Sequence, residues 1–266
     1  MKTYLYSTLL IISFILISCG TDDFPKKNTE GILLTEVVAG NEVFYKYTYT
    51  NSSLISEEKS KFHFTKHTYN SKNQLIQSDY YWDERIVSSS SRVLEETMKR
   101  TEWVSPENTE RDTYTTFEYG KNGMLQKSIA HRFEDDFATF KYNNGRIVQR
   151  TSFHENKASV FDNYFYDDSG NLIKTERYYI LSNGEYELAT TTEYELDNKH
   201  NPYYLFRKLM IPGRNTNPNN ITKEIYKIHF EADDFIEPVQ VTAYQYEYNS
   251  EGFPVKRSDG VEYIYF

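Results

Sequence analysis

Tyr166-Asp167-Asp168-Ser169-Gly170-Asn171-Leu172 is the stretch on which the fold turns, because the chain repeats it in one register. The copies are Tyr69-Asn70-Ser71-Lys72-Asn73-Gln74-Leu75, Tyr119-Gly120-Lys121-Asn122-Gly123-Met124-Leu125 and Tyr248-Asn249-Ser250-Glu251-Gly252-Phe253-Pro254. In each, a strand ends on tyrosine, a polar turn follows and a new strand opens. The fifth position is Gly or Asn, the residue types that accept a positive φ at low cost. At Tyr142 the unit shortens to Asn143-Asn144-Gly145-Arg146-Ile147, with Asn-Gly as the preferred pair of a two-residue hairpin. An early copy, Tyr49-Thr50-Asn51-Ser52-Ser53-Leu54, begins the series.

Working outward, the tyrosines are 23 residues apart from 119 to 142, 24 from 142 to 166 and 28 from 166 to Tyr194. Each step holds two strands and two turns. The gaps of 50 residues from 69 to 119 and 54 from 194 to 248 are near twice that period, which predicts degenerate copies around Arg92 to Thr101 and Tyr226 to Pro238. Within strands, Tyr45, Tyr47 and Tyr49 alternate with Phe44, Lys46 and Thr48, the period of a half-buried strand. Helical periodicity is confined to Ser91 to Arg100. The fold class is therefore all-β, an antiparallel β-meander of repeated hairpins with about fifteen strands. It forms an open extended sheet or a roomy barrel, since turn spacing fixes neither shear nor closure. An open sheet predicts short or blocked terminal strands.

Composition narrows the choice. The chain holds 25 Tyr, 17 Phe and 2 Trp, and beyond Cys19 there are 41 aromatic residues against 38 Ile, Leu and Val. Tyrosine suits sheet faces that are covered yet partly wet, which favours a thin sheet or a roomy barrel over a compact sandwich. The net charge of −9, or −10 once Lys2 is removed with residues 1–18, repels nucleic acid. A single cysteine rules out a disulfide within the chain.

That cysteine ends Leu16-Ile17-Ser18-Cys19, which resembles a lipobox, after an uncharged run of thirteen residues from Leu5 to Ile17. The run is too short for a permanent span, which needs about twenty. The expected organisation is a signal peptide at 1–18, a lipidated tether at 19–31 and one repeat domain at 32–266. Acyl chains on Cys19 would contribute roughly 0.8 kcal/mol per buried methylene, enough to hold the domain at a bilayer. Asp22 and Asp23, close behind the lipid, are similar to the export signals of Bacteroidota lipoproteins displayed on the outer membrane. The expected location is the outer membrane, lipid-anchored and facing outward.

Tyr166-Asp167-Asp168-Ser169-Gly170-Asn171-Leu172-Ile173-Lys174 resembles the YD repeat of Rhs-type proteins. Asn201-Pro202-Tyr203, Asn219-Asn220-Ile221-Thr222-Lys223 and Tyr248 to Lys256 are similar to segments of uncharacterised Bacteroidota lipoproteins. The resemblance covers roughly residues 40–266 and implies a β-rich, porin-like fold of unknown function. Its motifs describe turns, not chemistry. The chain lacks the size, shell-closing core and toxin domain of the Rhs toxins, so toxin delivery is not implied.

Chemistry-bearing groups are sparse. His63 and His67 are four apart, but on a strand that separation is about 13 Å, too wide for one metal. Asp167-Asp168-Ser169-Gly170-Asn171 offers oxygens to calcium but lacks a distal bidentate Glu, and a hairpin accounts for it. No Gly-x-Ser-x-Gly elbow, phosphate loop or dinucleotide fingerprint occurs, so no cofactor, metal or catalytic residue is expected. The terminal Tyr263-Ile264-Tyr265-Phe266 resembles the end of outer-membrane barrels, yet Arg146 to His154 has no face fit for lipid. The function expected is non-catalytic binding of a glycan, peptide or protein partner, with Tyr80, Tyr81, Trp82 and Trp103 as candidate stacking residues. A structural or assembly role in the envelope is the alternative, and a carboxylate-based glycoside hydrolase, among 39 Asp and Glu, is a more distant one.

Overall fold

A computed structural model describes residues 32–40, 42–82, 102–132, 136–209, 212–213, 215–230 and 237–266. Cys19, the tether and the Ser91 to Arg100 segment lie outside the described residues. Among the described residues seventeen strands run β1 Leu34–Ala39, β2 Glu42–Tyr49, β3 Ile55–Lys59, β4 His63–Tyr69, β5 Leu75–Trp82, β6 Thr113–Tyr119, β7 Leu125–Ala130, β8 Phe137–Asn143 and β9 Arg146–His154. They continue with β10 Lys157–Tyr166, β11 Leu172–Ile180, β12 Tyr186–Leu196, β13 Ile221–Ile228, β14 Val239–Ala243, β15 Tyr246–Tyr248, β16 Pro254–Arg257 and β17 Val261–Tyr265.

Every neighbour is antiparallel, as the meander requires. Consecutive strands pair from β1 to β14 and from β15 to β17, and β17 pairs with β1, with Val37 opposite Tyr263. Among the described residues no ladder joins β14 to β15, so the sheet is not closed. Its two ends are nevertheless tied covalently through Tyr244 and Gln245, where Tyr244 N donates to Thr222 O and Ser258 N donates to Gln245 O. The end strands β14 and β15 have only five and three residues, which meets the expectation for an open sheet. A sheet of this breadth curls instead of lying flat.

The turn that identified the repeat has one geometry throughout. Asn73 N donates to Asn70 O, Gly123 N to Gly120 O, Gly170 N to Asp167 O and Gly252 N to Asn249 O. Each donor has a positive φ: 59° at Asn73, 78° at Gly123, 87° at Gly170 and 84° at Gly252. Ser53 fills the position in the early copy at 56°, and Asn144-Gly145 forms the short turn at 48° and 77°. The side chain after the tyrosine stabilises the loop from within, as Asn70 Oδ1 and Asn249 Oδ1 each accept two turn N–H groups.

The repeated tyrosine reaches beyond its own turn. Tyr49 Oη donates to Leu34 O at 2.5 Å, Tyr69 to Ile55 O at 2.8 Å and Tyr166 to Ile147 O at 2.8 Å, while Tyr248 donates to Asp197. Two tyrosines outside the repeat act alike, Tyr246 donating to Ile221 O at 2.9 Å and Tyr265 to Pro254 O at 2.6 Å. The acceptors of Tyr49, Tyr69 and Tyr166 lie at or next to the start of the neighbouring strand, and Leu34, Ile55, Leu75, Leu125 and Leu172, each the first residue of its strand, are at most 1% exposed. Burial pushes the Tyr119, Tyr142 and Tyr246 phenols up to about 12. The result is a spine of aliphatic side chains and phenols along one end of the sheet.

Among the described residues the spine is interrupted between β12 and β13 by an excursion that the periodicity did not predict. Pro202–Leu209 forms a 3₁₀ helix, here η1, whose Pro202, Tyr203 and Phe206 are buried. Five asparagines hold it in place. Asn201 Nδ2 donates to Asn217 O at 2.8 Å, and Asn217 Oδ1 accepts from Leu172 N at 2.7 Å. Asn171 and Asn219 exchange two hydrogen bonds, while Asn220 bonds Asp197, which also accepts from Tyr248. Phe206 then packs on Tyr47 with centroids 4.9 Å apart, inside a cluster with Leu34, Val37, Ile55, Tyr203 and Tyr263. This fills the interior beside β1, β2, β3 and β17.

Candidate functional site

The opposite part of the interior is open. Side chains from β3 to β13 line a cavity of about 790 Å³. Alternation along each strand sends its inward residues there, and these are unusually polar. Thr65, Ser78, Thr115, Ser128, Thr175, Thr190 and Thr192 supply hydroxyl groups between the rings of Tyr80, Tyr164, Tyr194 and Tyr226. Tyr179 and Phe230, 43% and 41% exposed with centroids 6.3 Å apart, mark its mouth.

One row of cross-strand partners carries charge. Arg150 on β9 faces Asp162 on β10, which faces Arg177 on β11 and then Thr190 on β12. Asp162 is 2% exposed and accepts from Arg177 Nε at 2.7 Å and Nη2 at 3.2 Å. Arg150 Nη1 stands 3.7 Å away, beyond hydrogen-bonding distance. The hydrogen bonds to Asp162 raise Arg177 further above its ordinary value. Across the cavity, Glu58 contacts His63 Nε2 at 2.7 Å, and His67 Nδ1 contacts Ser78 Oγ at 2.9 Å. Burial lowers His67 to about 4, so it is neutral at pH 7. His63 and His67 are thus pinned to separate partners, and among the described residues no three His, Cys, Asp or Glu side chains are grouped to hold a metal.

The four aromatic candidates are divided by the pleat. Tyr80 lines the cavity. Trp82, two residues on, lies over His63 with centroids 5.0 Å apart and is 45% exposed. Tyr81 points the other way, edge-on to buried Phe64 at 5.5 Å, and Trp103 sits beneath Lys46 Nζ at 5.3 Å. The residues that sequence reasoning missed, Arg150, Asp162, Tyr164, Arg177 and Thr192, carry a faint signal: none of the strands β9 to β12 has a wholly apolar face.

The outer face differs again. Its rings stack across strands, Phe137 on Phe153 at 4.4 Å, Phe161 on Tyr178 at 4.8 Å and Tyr114 on His131 at 4.1 Å. Ion pairs occupy other outward positions, such as Lys46 with Glu36 and Lys227 with Glu193. A lipid-facing band would need apolar side chains there. Among the described residues no helix is long and apolar enough to cross a membrane.

No family model matches the chain, and no curated protein matches it. Among solved structures it is similar to a porin-like protein from Bacteroides vulgatus ATCC 8482, with 11% identity and a TM-score of 0.40 over 87% of this chain and 98% of that one. It is also similar to a DUF3836 family protein from Parabacteroides distasonis ATCC 8503, with 17% identity and a TM-score of 0.29 over 41% of this chain and 87% of that one. The TcdB2-TccC3 structure is similar at 12% identity and a TM-score of 0.31, over 84% of this chain but 10% of that one. Likenesses of this size carry no functional inference.

Proposed function

We propose that this chain is a non-catalytic, envelope-associated binding protein that takes a polar ligand, a glycan above all, into the cavity enclosed by β3 to β13. The single observation that carries this reading is an interior left open and lined with hydroxyls and tyrosine rings, where the same sheet elsewhere is packed shut. Its volume falls in the range of small-molecule sites, roughly 300–1,000 Å³. Tyrosine faces suit the apolar side of a sugar ring, and the hydroxyls of Thr175, Thr190 and Thr192 suit its edge. Lipid on Cys19, with Asp22 and Asp23 behind it, would hold the module at the outer membrane and facing outward. Because the outer rings are already stacked on one another, that face is read as packing.

A glycan array probed with the full-length chain and with Thr192→Trp tests this directly. Binding by the wild type, lost in Thr192→Trp at an unchanged melting temperature, is the expected result. Binding that survives the blocking indole, or no binding to any glycan, would overturn it. Protease shaving of intact cells carrying the wild type or Cys19→Ala tests the location: peptides should be released from the wild type, and the variant should leave the membrane.

A further inference from the structure

A second cavity lies at the spine end of the molecule, separate from the first in its chemistry. It measures about 280 Å³ and is enclosed by the turns after Tyr69, Tyr119, Tyr142 and Tyr166 and by η1. Among the described residues that line it, four are cationic, Lys72, Arg146, Arg207 and Lys208, and none is acidic. In a chain with a net charge of −9 this is a local reversal of sign. The nearest carboxylates in sequence, Asp167 and Asp168, belong to the adjoining turn, and Asp167 is engaged by Asn171 N and Nδ2.

The placement is built, not incidental. Lys72 and Arg146 come from turns of two different repeats, and Arg207 and Lys208 from the last turn of the inserted helix. Leu75, Ile147 and the tyrosines Tyr119, Tyr142 and Tyr166 supply its apolar lining. Arg146 lies over the Tyr166 ring at 5.7 Å and Arg207 over Tyr204 at 4.6 Å, so aromatic faces hold both guanidinium groups near the pocket.

We infer that this pocket binds a compact organic anion, a phosphate or carboxylate group gripped by Arg146, Arg207, Lys72 and Lys208 and carried on a ring or short apolar body that rests on the tyrosines. Arginine engages such groups through paired N–H donors, and the apolar lining adds contact that inorganic phosphate lacks. This site is independent of the glycan reading, since among the described residues the two linings share only Leu75 and Pro212.

The test is calorimetric titration of the full-length chain with phenyl phosphate, inorganic phosphate and phenol. Phenyl phosphate should bind with a dissociation constant of about 1 mM or tighter, at least about tenfold more tightly than phosphate, and weaken with added salt; phenol should not bind. The double variant Arg146→Gln and Lys208→Gln should lose at least about tenfold in affinity without a change in melting temperature. Because both side chains stand at the rim and not in the core, that variant is expected to fold. Equal binding of phenol, no binding of either anion at 10 mM, roughly ten times the expected constant, or an unaffected double variant would each overturn the inference. Co-sedimentation with phosphatidylglycerol vesicles, lost in the double variant, would identify a lipid headgroup as the source of the phosphate, and its absence alongside phenyl phosphate binding a soluble one.

Discussion

The two halves of the interior are built from the same hairpin unit and end in opposite states. Beside β1, β2, β3 and β17, Leu34, Val37, Tyr47, Ile55, Tyr203, Phe206 and Tyr263 are all at most 6% exposed. Beside β9 to β12 the inward positions hold Arg150, Asp162, Tyr164, Thr175, Arg177, Thr190 and Thr192 around open space. The repeat specifies the turns and the tyrosine spine in both. What separates the halves is η1, whose Phe206 and Tyr203 complete the packing on one side only. The lesson is that the repeat secures the frame, leaving the inward residues of several strands free to serve something other than stability.

The sharpest way to break this comparison is to empty the filled half. Phe206→Ala removes a ring that is 2% exposed and should cost about 3–5 kcal/mol in denaturant unfolding. Thr192→Ala, its counterpart in the open half, should cost about 0.5 kcal/mol or less. Equal losses would mean that both halves are packed alike. Next in size, Asp162→Ala leaves Arg177 without its two hydrogen bonds and Arg150 beside it, and a loss of about 2–3 kcal/mol is expected from the same unfolding curves.

The spine, common to both halves, should respond to a smaller change. Tyr166→Phe deletes one hydroxyl and leaves Ile147 O without that donor, for a loss of about 1 kcal/mol. Tyr49→Phe, in the filled half, should lose a similar amount. A difference of several fold between them would show that the spine is not one repeated device.

The smallest effect concerns His67 in the cavity wall. Burial lowers its folded pKa to about 4 from 6.5, with Glu58 and Asp79 opposing the shift. The unfolded chain therefore takes up this proton first. The residue has no effect above pH 6.5 and destabilises the fold progressively as the pH falls from 6.5 to about 4. His67→Gln should flatten the stability profile within that window, and an unchanged slope would place His67 in water.

Much of the frame was legible because turn chemistry is local. The Gly or Asn at the fifth position of each copy and the Asn-Gly after Tyr142 carry the positive φ values expected of them. The strand count rose from about fifteen to seventeen partly because one line of chain bends at Tyr244 and Gln245 and is divided there. The helix Pro202–Leu209 was hidden, since it is a short 3₁₀ segment held by asparagine side chains from Asn171 to Asn220 and not by periodicity of its own. Those asparagines had registered only as part of a family resemblance.

The cavity was less visible still. Arg150, Asp162 and Arg177 are 12 and 15 residues apart in sequence and meet only through strand register. Tyr80 was singled out along with Tyr81, Trp82 and Trp103, but the pleat sends Tyr80 and Tyr81 to opposite faces.

The central claim is that one half of the interior admits small molecules from solution while the other does not. Single cysteines introduced at Thr192 and at Val37 in a Cys19→Ala background, reacted with a small thiol reagent under native conditions, test it most directly, because no other cysteine is present. The Thr192→Cys variant should label rapidly. Val37→Cys should label more slowly by about a thousandfold or more, reacting only when the fold opens. Comparable rates, whether both fast or both slow, would contradict the division of the interior on which the proposed function rests.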